Sequence, residues 1–377
     1  MAKSWRQAAL ADRHTALGSR LEDWNGMPTA WTYNQSVADE HEAIRTRAGL
    51  MDVSGLKKVH VVGPHAEMLI DYATTRDVSL LCPGKSVYAS MLNARGHFVD
   101  DCVIYRNGPN AFMVVHGSGE GHELLHRGAI GRNVSVLFDD DLQDLSLQGP
   151  VAVDFLAGHV RGIRDLQYFH HTQTTLFGKP VTISRTGYTG ERGYELFCKR
   201  ADAPLIWDTV LEKGRSMGII PCSFTALDWL RVESSLLFYP FDHSEMHPFA
   251  DQPAGDTLWE LGLDFTVSKN KREFRGAAEH FRLAGKERFR IFGVLVDGTR
   301  ATQGGDTLWV GERQVGVITC GMVSRLTGQS MAIARLDPAL AVHGATLEVR
   351  GKDYVLGASS HTLPFDDPEK TKRLAKG

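Results

Sequence analysis

The run Ser184-Arg-Thr-Gly-Tyr-Thr-Gly-Glu-Arg-Gly-Tyr-Glu195 spaces Gly187, Gly190 and Gly193 three residues apart between two apolar segments, 181–183 and 194–197. Short apolar segments flanking a glycine-dense stretch predict a strand, a loop and a second strand. Glycine carries no Cβ, so such a loop can bring main chain close to a flat ligand. Tyr188, Glu191, Arg192 and Glu195 add an aromatic surface and carboxylates that suit a heteroaromatic ring bearing N–H donors. The same spacing also fits a glycine-rich hairpin turn with solvated charges, and the stretch alone leaves both readings open.

Outward from this block, the periodicity predicts an amphipathic helix over 36–47 and a strand that begins at 50–53 and continues through 59–62. A helix over 65–74 precedes strands at 87–92, 99–105 and 111–116, separated by turns at 93–96 and 107–110, which together make an antiparallel meander with a helix beside it. Helices over 120–128 and 151–157 flank a strand reaching 147–148, and further helices span 203–217 and 223–236. From about Arg290 the pattern changes to short strands with turns at Asp297-Gly298, Gly304-Gly305 and Gly311-Glu312, a compact β-rich C-terminal domain. The tail from Asp366 to Gly377, charged and poor in apolar residues, reads as loosely held.

A chain of 377 residues, 42% apolar, is too long for one ordinary core and implies two or three domains. Basic and acidic residues nearly balance, 42 against 45 for a formal charge of −3, and neither sign forms a block, which argues against a nucleic-acid partner. No apolar run approaches the roughly 20 residues of a membrane helix and the N-terminus lacks a secretory core, so the expected compartment is the cytoplasm, without membrane association. The five cysteines are scattered, with no Cys-x-x-Cys pair, and read as reduced and mostly buried. His122 and His126, at i and i+4 with His116 nearby, have zinc-like spacing but no clear third ligand, so no metal is expected. Gly117-Ser-Gly-Glu-Gly121 lacks the dinucleotide spacing, and no G-x-S-x-G elbow is present.

Short pieces then line up in order: Asp52-Val-Ser54, Thr75-Arg-Asp77-Val78, Pro83-Gly-Lys85, Met91-Leu-Asn93, Val99-Asp-Asp101, Leu147-Gln-Gly-Pro150, the block from Arg185 to Glu191, Leu230-Arg-Val-Glu233, Gly262-Leu263 with Val267, Gly316-Val-Ile-Thr-Cys-Gly321 and Leu363-Pro-Phe365. On these the chain resembles, nearly end to end, the aminomethyltransferase family: the T-protein of the glycine cleavage system and its tetrahydrofolate-dependent relatives. The resemblance implies an α+β fold, a three-domain cloverleaf with mixed and antiparallel sheets around a central folate site. Its domains would be 1–55 with 145–230, 56–144 with 231–285, and a C-terminal β-barrel over 286–377.

The chemistry can be weighed residue by residue. Asp100 and Asp101 are neighbours on a strand and point to opposite faces, so only one can serve a given site; the family alignment makes it Asp101. One-carbon transfer to tetrahydrofolate needs a ring amine relieved of a proton or stabilised as charge develops, and a fixed carboxylate does either. A pair of aspartates that only caps backbone amides is the plainer reading of the two residues alone. Glu195 matches the family carboxylate that accepts from the pterin's amino-pyrimidine edge. Tyr88, Tyr168 and Tyr188 are candidates to pack on the pterin or benzoyl rings, although each taken alone fits ordinary core packing.

The departures bear on the donor. Leu227 stands where many T-proteins carry an arginine that contacts the folate tail; Arg231 is the candidate replacement, or else pairs with Glu233 or Asp228. The usual Tyr-Gly-x-Asp loop is replaced by Phe238-Tyr-Pro-Phe-Asp242-His243, and Asp366-Asp-Pro-Glu-Lys370 follows the late Leu-Pro-Phe in place of a tyrosine. These differences resemble the demethylase side of the family, which moves carbon from a small methylated or aminomethyl donor to tetrahydrofolate. A lipoyl carrier protein remains open as a partner if the donor is carrier-bound. The alternative is a folate-binding protein without transferase activity, of the kind that assists iron–sulfur cluster maintenance, but its Lys-Gly-Cys-Tyr-Thr-Gly-Gln-Glu signature is absent here.

Overall fold

The computed structural model describes residues 5–249 and 252–375. The first sheet runs His171–Leu176, Lys179–Ser184, Gly193–Lys199, Leu142–Gln148, Ala48–Asp52, Ile219–Pro221, antiparallel except for the final parallel pair. The second, antiparallel throughout, runs Ser86–Leu92, Phe98–Gly108, Ala111–His116, Lys57–Val62, Ser135–Phe138. Six more strands, from Arg290–Val296 to Val355–His361, close into a barrel. The second sheet is thus an insertion into the first, which takes one strand from before it and the rest from after it. This is the expected α+β class, with mixed and antiparallel sheets and a C-terminal barrel.

Most strands and helices lie within a few residues of their expected positions, and Ala111–His116 has the expected bounds. One expectation fails instructively. The strand predicted to run from 50 to 62 is broken, and its halves belong to different sheets. Asp52 Oδ1 accepts from Ser54 N at 2.9 Å, an Asx turn that ends the first strand. Gly55 then packs so tightly on Trp24 that a Cβ there would lie 2.2 Å from its ring, fixing the crossover. The helix expected over 223–236 stops at Glu233, because Ser235 adopts a left-handed conformation with φ 55°. The tail is not loose across its described part, 366–375. Asp366 N donates to Glu233 O at 3.0 Å, and Arg185 and Arg192 donate to tail carbonyls.

The helix Val37–Thr46 has the expected amphipathic spacing, yet Glu40, His41 and Arg45 are buried along with Ala43 and Ile44. Arg45 binds Glu233 through Nε at 3.0 Å and Nη2 at 2.8 Å, and reaches Glu191 Oε1 at 2.9 Å. Glu233 also takes His41 at 2.9 Å and, on its other oxygen, Ser324 of the barrel at 2.6 Å. Burial pushes the Glu233 carboxyl up, but the His41 hydrogen bond and the Arg45 charge prevail and hold it at about 2. Glu233→Ala would leave buried His41 without its partner and strip buried Arg45 of one of its two hydrogen-bonded carboxylates, and is expected to cost about 3–5 kcal/mol. Denaturant unfolding measures this; a loss below about 1 kcal/mol would mean the joint is dispensable.

Candidate active site

Along Phe98–Gly108, strand alternation turns Asp100 and Asp101 to opposite faces. Asp100, fully buried, accepts from Gly121 N at 2.9 Å and meets His116 Nδ1 at 2.7 Å, thereby anchoring the start of the helix Gly121–Ala129. Asp101 lies on the face shared with Val103 and Tyr105, the face packed toward Phe197 of the first sheet. Tyr88, on the neighbouring strand, donates its hydroxyl to Asp101 Oδ2 at 2.6 Å. Burial and then the Asp100 charge push the Asp101 carboxyl up to about 6, against the Tyr88 hydrogen bond. Its partner Tyr88 is raised well above the usual phenol range, mainly by burial and then by Asp101.

Four residues along the same strand face, about 13 Å at 3.3 Å per residue, Tyr105 crosses to the first sheet and donates to Glu195 Oε2 at 3.2 Å. Thr186, from the glycine-rich loop, donates to the same oxygen, and both hydrogen bonds fall on Oε2. Burial raises the Glu195 carboxyl, and these two hydrogen bonds oppose the rise. Neither Asp101 nor Glu195 forms an ion pair among the described residues. Tyr105 and Thr186 were not singled out from sequence, although Tyr105 shares strand parity with Asp101 and could have been found by counting.

Tyr188 packs with Trp24, Phe224, Leu227 and Phe238 and donates to Leu236 O at 3.2 Å and to Leu237 O. It is close enough to Tyr88 and Asp101 for their charges to act on one another. Tyr168 sits beside Phe169 with ring centroids 4.7 Å apart, feels the Glu195 charge and hydrogen-bonds Arg373. Arg231 stands behind Tyr188 with its guanidinium taken by Asp228 at 2.8 Å and by Asp242. Of the two acidic partners that sequence suggested for it, the structure has Asp228. Phe265, 60% exposed, lies near-parallel to Tyr88 at 6.4 Å, and His243 is buried against Phe98 and Tyr239; exposure and contact of this kind leave no mark in the sequence.

The glycines make room for side chains of the protein itself. A Cβ on Gly187 or Gly193 would lie 2.1 or 2.0 Å from the buried amide of Gln148, and one on Gly190, with φ +83°, 2.1 Å from Ser234 Oγ. They are small so that the loop can pack on its own protein. Glu191 and Arg192, read as loop charges beside a ligand, are buried in protein contacts with Arg45 and Tyr194. Among the described residues one group of metal-type donors converges, His243, Glu245 and Asp256, and Asp256 is already bound by Arg335 at 3.0 Å and Ser244 N at 2.9 Å. No described helix is long and apolar enough to cross a membrane.

The two interleaved sheets and the C-terminal barrel are matched by family comparison. The GCVT N-terminal domain model covers residues 10–271, and the glycine cleavage T-protein C-terminal barrel domain model covers 290–367. The chain belongs to the glycine cleavage T-protein, or aminomethyltransferase, family. This T-protein relative is 72% identical, over the full length of both chains, to the heme-dependent oxidative N-demethylase gamma subunit of Ectopseudomonas mendocina. It is 33% identical to the aminomethyltransferase of Rubrobacter xylanophilus, over 97% of this chain and 96% of that one. Its fold superposes on the crystal structure of aminomethyltransferase T from Bartonella henselae with a TM-score of 0.86 and 27% identity, covering 96% and 98% of the two chains. At this level the T-protein relative is an enzyme of the transferase and demethylase kind.

Between about pH 4 and pH 6 the folded T-protein relative keeps the Asp101 proton that the unfolded chain has lost. Stability from this group therefore falls as pH rises through that window and stays reduced above it. Asp101→Asn is expected to be more stable than the wild type at pH 7.5 by about 3 kcal/mol, a shift of about two pKa units converted at 1.36 kcal/mol each. The gain should vanish near pH 4; paired denaturant curves at the two pH values measure it, and equal differences at both would refute the assignment.

Proposed function

We propose that this chain is the one-carbon-accepting subunit of an oxidative N-demethylase. It would join carbon at the oxidation level of formaldehyde, released from an N-methylated amine, to tetrahydrofolate, giving 5,10-methylenetetrahydrofolate and water. The observation that carries the reading is the placement of Asp101, lifted to about 6, and Glu195 on two sheets that meet through Tyr105, with no ion pair to either carboxyl among the described residues. The relationship to the demethylase gamma subunit over the whole chain supports this donor class above a lipoyl-bound aminomethyl group. Oxidation of the amine is assigned to other subunits of such an assembly.

The residues fit a reduced pterin. Glu195 Oε1 would accept from the N–H groups of the amino-pyrimidine edge, a charge-assisted pairing that fixes the ring. Tetrahydrofolate supplies the two nucleophilic amines that capture the carbon, N5 of the reduced ring and N10 outside it. Asp101, held by Tyr88, would take a proton shed as an amine bonds to the carbon and pass it to the former carbonyl oxygen, which gains one proton from each of the two amines and leaves as water as the second C–N bond forms. A carboxyl near 6 is suited to moving a proton both ways close to neutral pH. Tyr188 and Tyr88 would bracket the ring, and enclosure between the sheets would hold the two reactants together.

Calorimetric binding of tetrahydrofolate, followed by spectroscopic detection of methylenetetrahydrofolate formed from formaldehyde, tests the proposal. Glu195→Ala should weaken binding by about 10- to 100-fold, the worth of one hydrogen bond to a charged group. Asp101→Asn should bind normally and lose about 100-fold or more in kcat. The wild-type rate should rise with pH to a plateau, with an apparent pKa of about 6, as Asp101 ionises. Full turnover by Asp101→Asn, or a rate indifferent to pH between 5 and 7, would refute this role for Asp101.

A further inference from the structure

Arg185 and Arg192 flank the glycine-rich loop, and each is only about one-twentieth exposed. Among the described residues neither has an acidic partner. Arg185 donates to Leu166 O at 3.1 Å and Arg192 to Arg164 O at 3.2 Å and the Tyr194 hydroxyl, and their remaining acceptors lie on the tail. Arg185 Nη2 donates to Arg373 O at 3.1 Å and to Ala375 O, and Arg192 Nη1 to Ala375 O at 3.1 Å. Two neighbouring buried guanidiniums therefore share the peptide carbonyls of a segment some 180 residues away in sequence.

The tail makes further contacts with the loop and within itself. Lys372 bridges Glu191 of the loop, at 3.2 Å, and Asp366 of the tail itself, at 2.7 Å. Asp366 N donates to Glu233 O at 3.0 Å, beside the Arg45 joint. Asp367 caps the short helix Thr371–Leu374, accepting from Thr371 N at 2.8 Å and Lys372 N at 2.9 Å, so that Lys372 is held facing the loop. Arg373 closes a cavity of about 10 Å³, the space of one water, against Tyr168, Arg185, Thr186 and Glu191. Thr186, on the far side of this contact, is one of the two residues that hold Glu195.

We propose that the tail segment 366–375 is a positioning element of the active site: by delivering carbonyl oxygens to Arg185 and Arg192 and the Lys372 ammonium to Glu191, it fixes the loop through which Thr186 and Tyr188 are presented. Lys372 and Asp367 are thus positioning residues that act through the loop. The proposal rests on the folate reading for its consequence in catalysis, and on geometry alone for its consequence in loop order.

The test uses the full chain with Lys372→Glu, which sets like charge against Glu191 and Asp366, and independently Asp367→Ala, which removes the helix cap. Lys372→Arg is the conservative control. Hydrogen exchange of amides 185–192 in the ligand-free protein should quicken by about tenfold in both variants, while the strands of the barrel stay unchanged. The KM for tetrahydrofolate should rise by about tenfold with kcat within about twofold, and Lys372→Arg should restore both. Unchanged exchange across 185–192 in both variants would overturn the proposal, as would a loss confined to kcat. If the wild type fails to bind tetrahydrofolate, the functional reading falls, and the exchange measurement still decides whether the tail orders the loop.

Discussion

Arg45 is the side chain on which most of the arrangement hangs. A buried guanidinium is tolerated only when its donors are met, and here they are met by Glu233, Glu191 and the carbonyls of Thr189 and Leu230. Those partners come from the helix Phe224–Glu233 and from the glycine-rich loop, and Glu233 passes the connection on to Ser324 in the barrel. Parts of the chain far apart in sequence are thereby locked in one relative placement. A non-directional apolar contact would tolerate sliding; a fork of fixed hydrogen bonds does not.

The carboxyls show how partner chemistry decides what burial does. Glu233 and Asp101 are both removed from water, yet one is held at about 2 and the other lifted to about 6. Glu233 faces an arginine and a histidine, whereas Asp101 faces a phenol and lies next to a second aspartate. The first arrangement stabilises the fold and is chemically inert. The second costs stability and leaves a carboxyl able to exchange a proton near neutral pH, the pattern expected of a working site.

Local physics made much of the fold legible. The meander from 86 to 116 and the strands of the barrel could be read because alternation and turn residues act over a few positions, and tertiary packing did not override them. The break at 53–56 was missed because the apolar run resumes after it, and the short Asx turn is weighed against two strands that both bury their side chains. The burial of Glu40, His41 and Arg45 is not legible in the helix, since nothing local announces that Glu233 and Ser223 will cover them. The site was legible in part: parity separates Asp100 from Asp101, but Tyr105 meets Glu195 across two sheets whose order is not written in either strand.

The sequence by itself determined where strands, turns and most helices form, the family to which the chain belongs, and the candidate pair of Asp101 and Glu195. Only the tertiary structure decided that the glycines of the 184–195 block accommodate Gln148 and Ser234, that Arg231 is taken by Asp228 and Asp242, and that the charged tail lies across the loop. The division has a physical reason. Periodicity and turn chemistry are properties of neighbouring residues. The partner of a buried charge, and the atom a glycine must make room for, come from whichever distant segment the fold brings into contact.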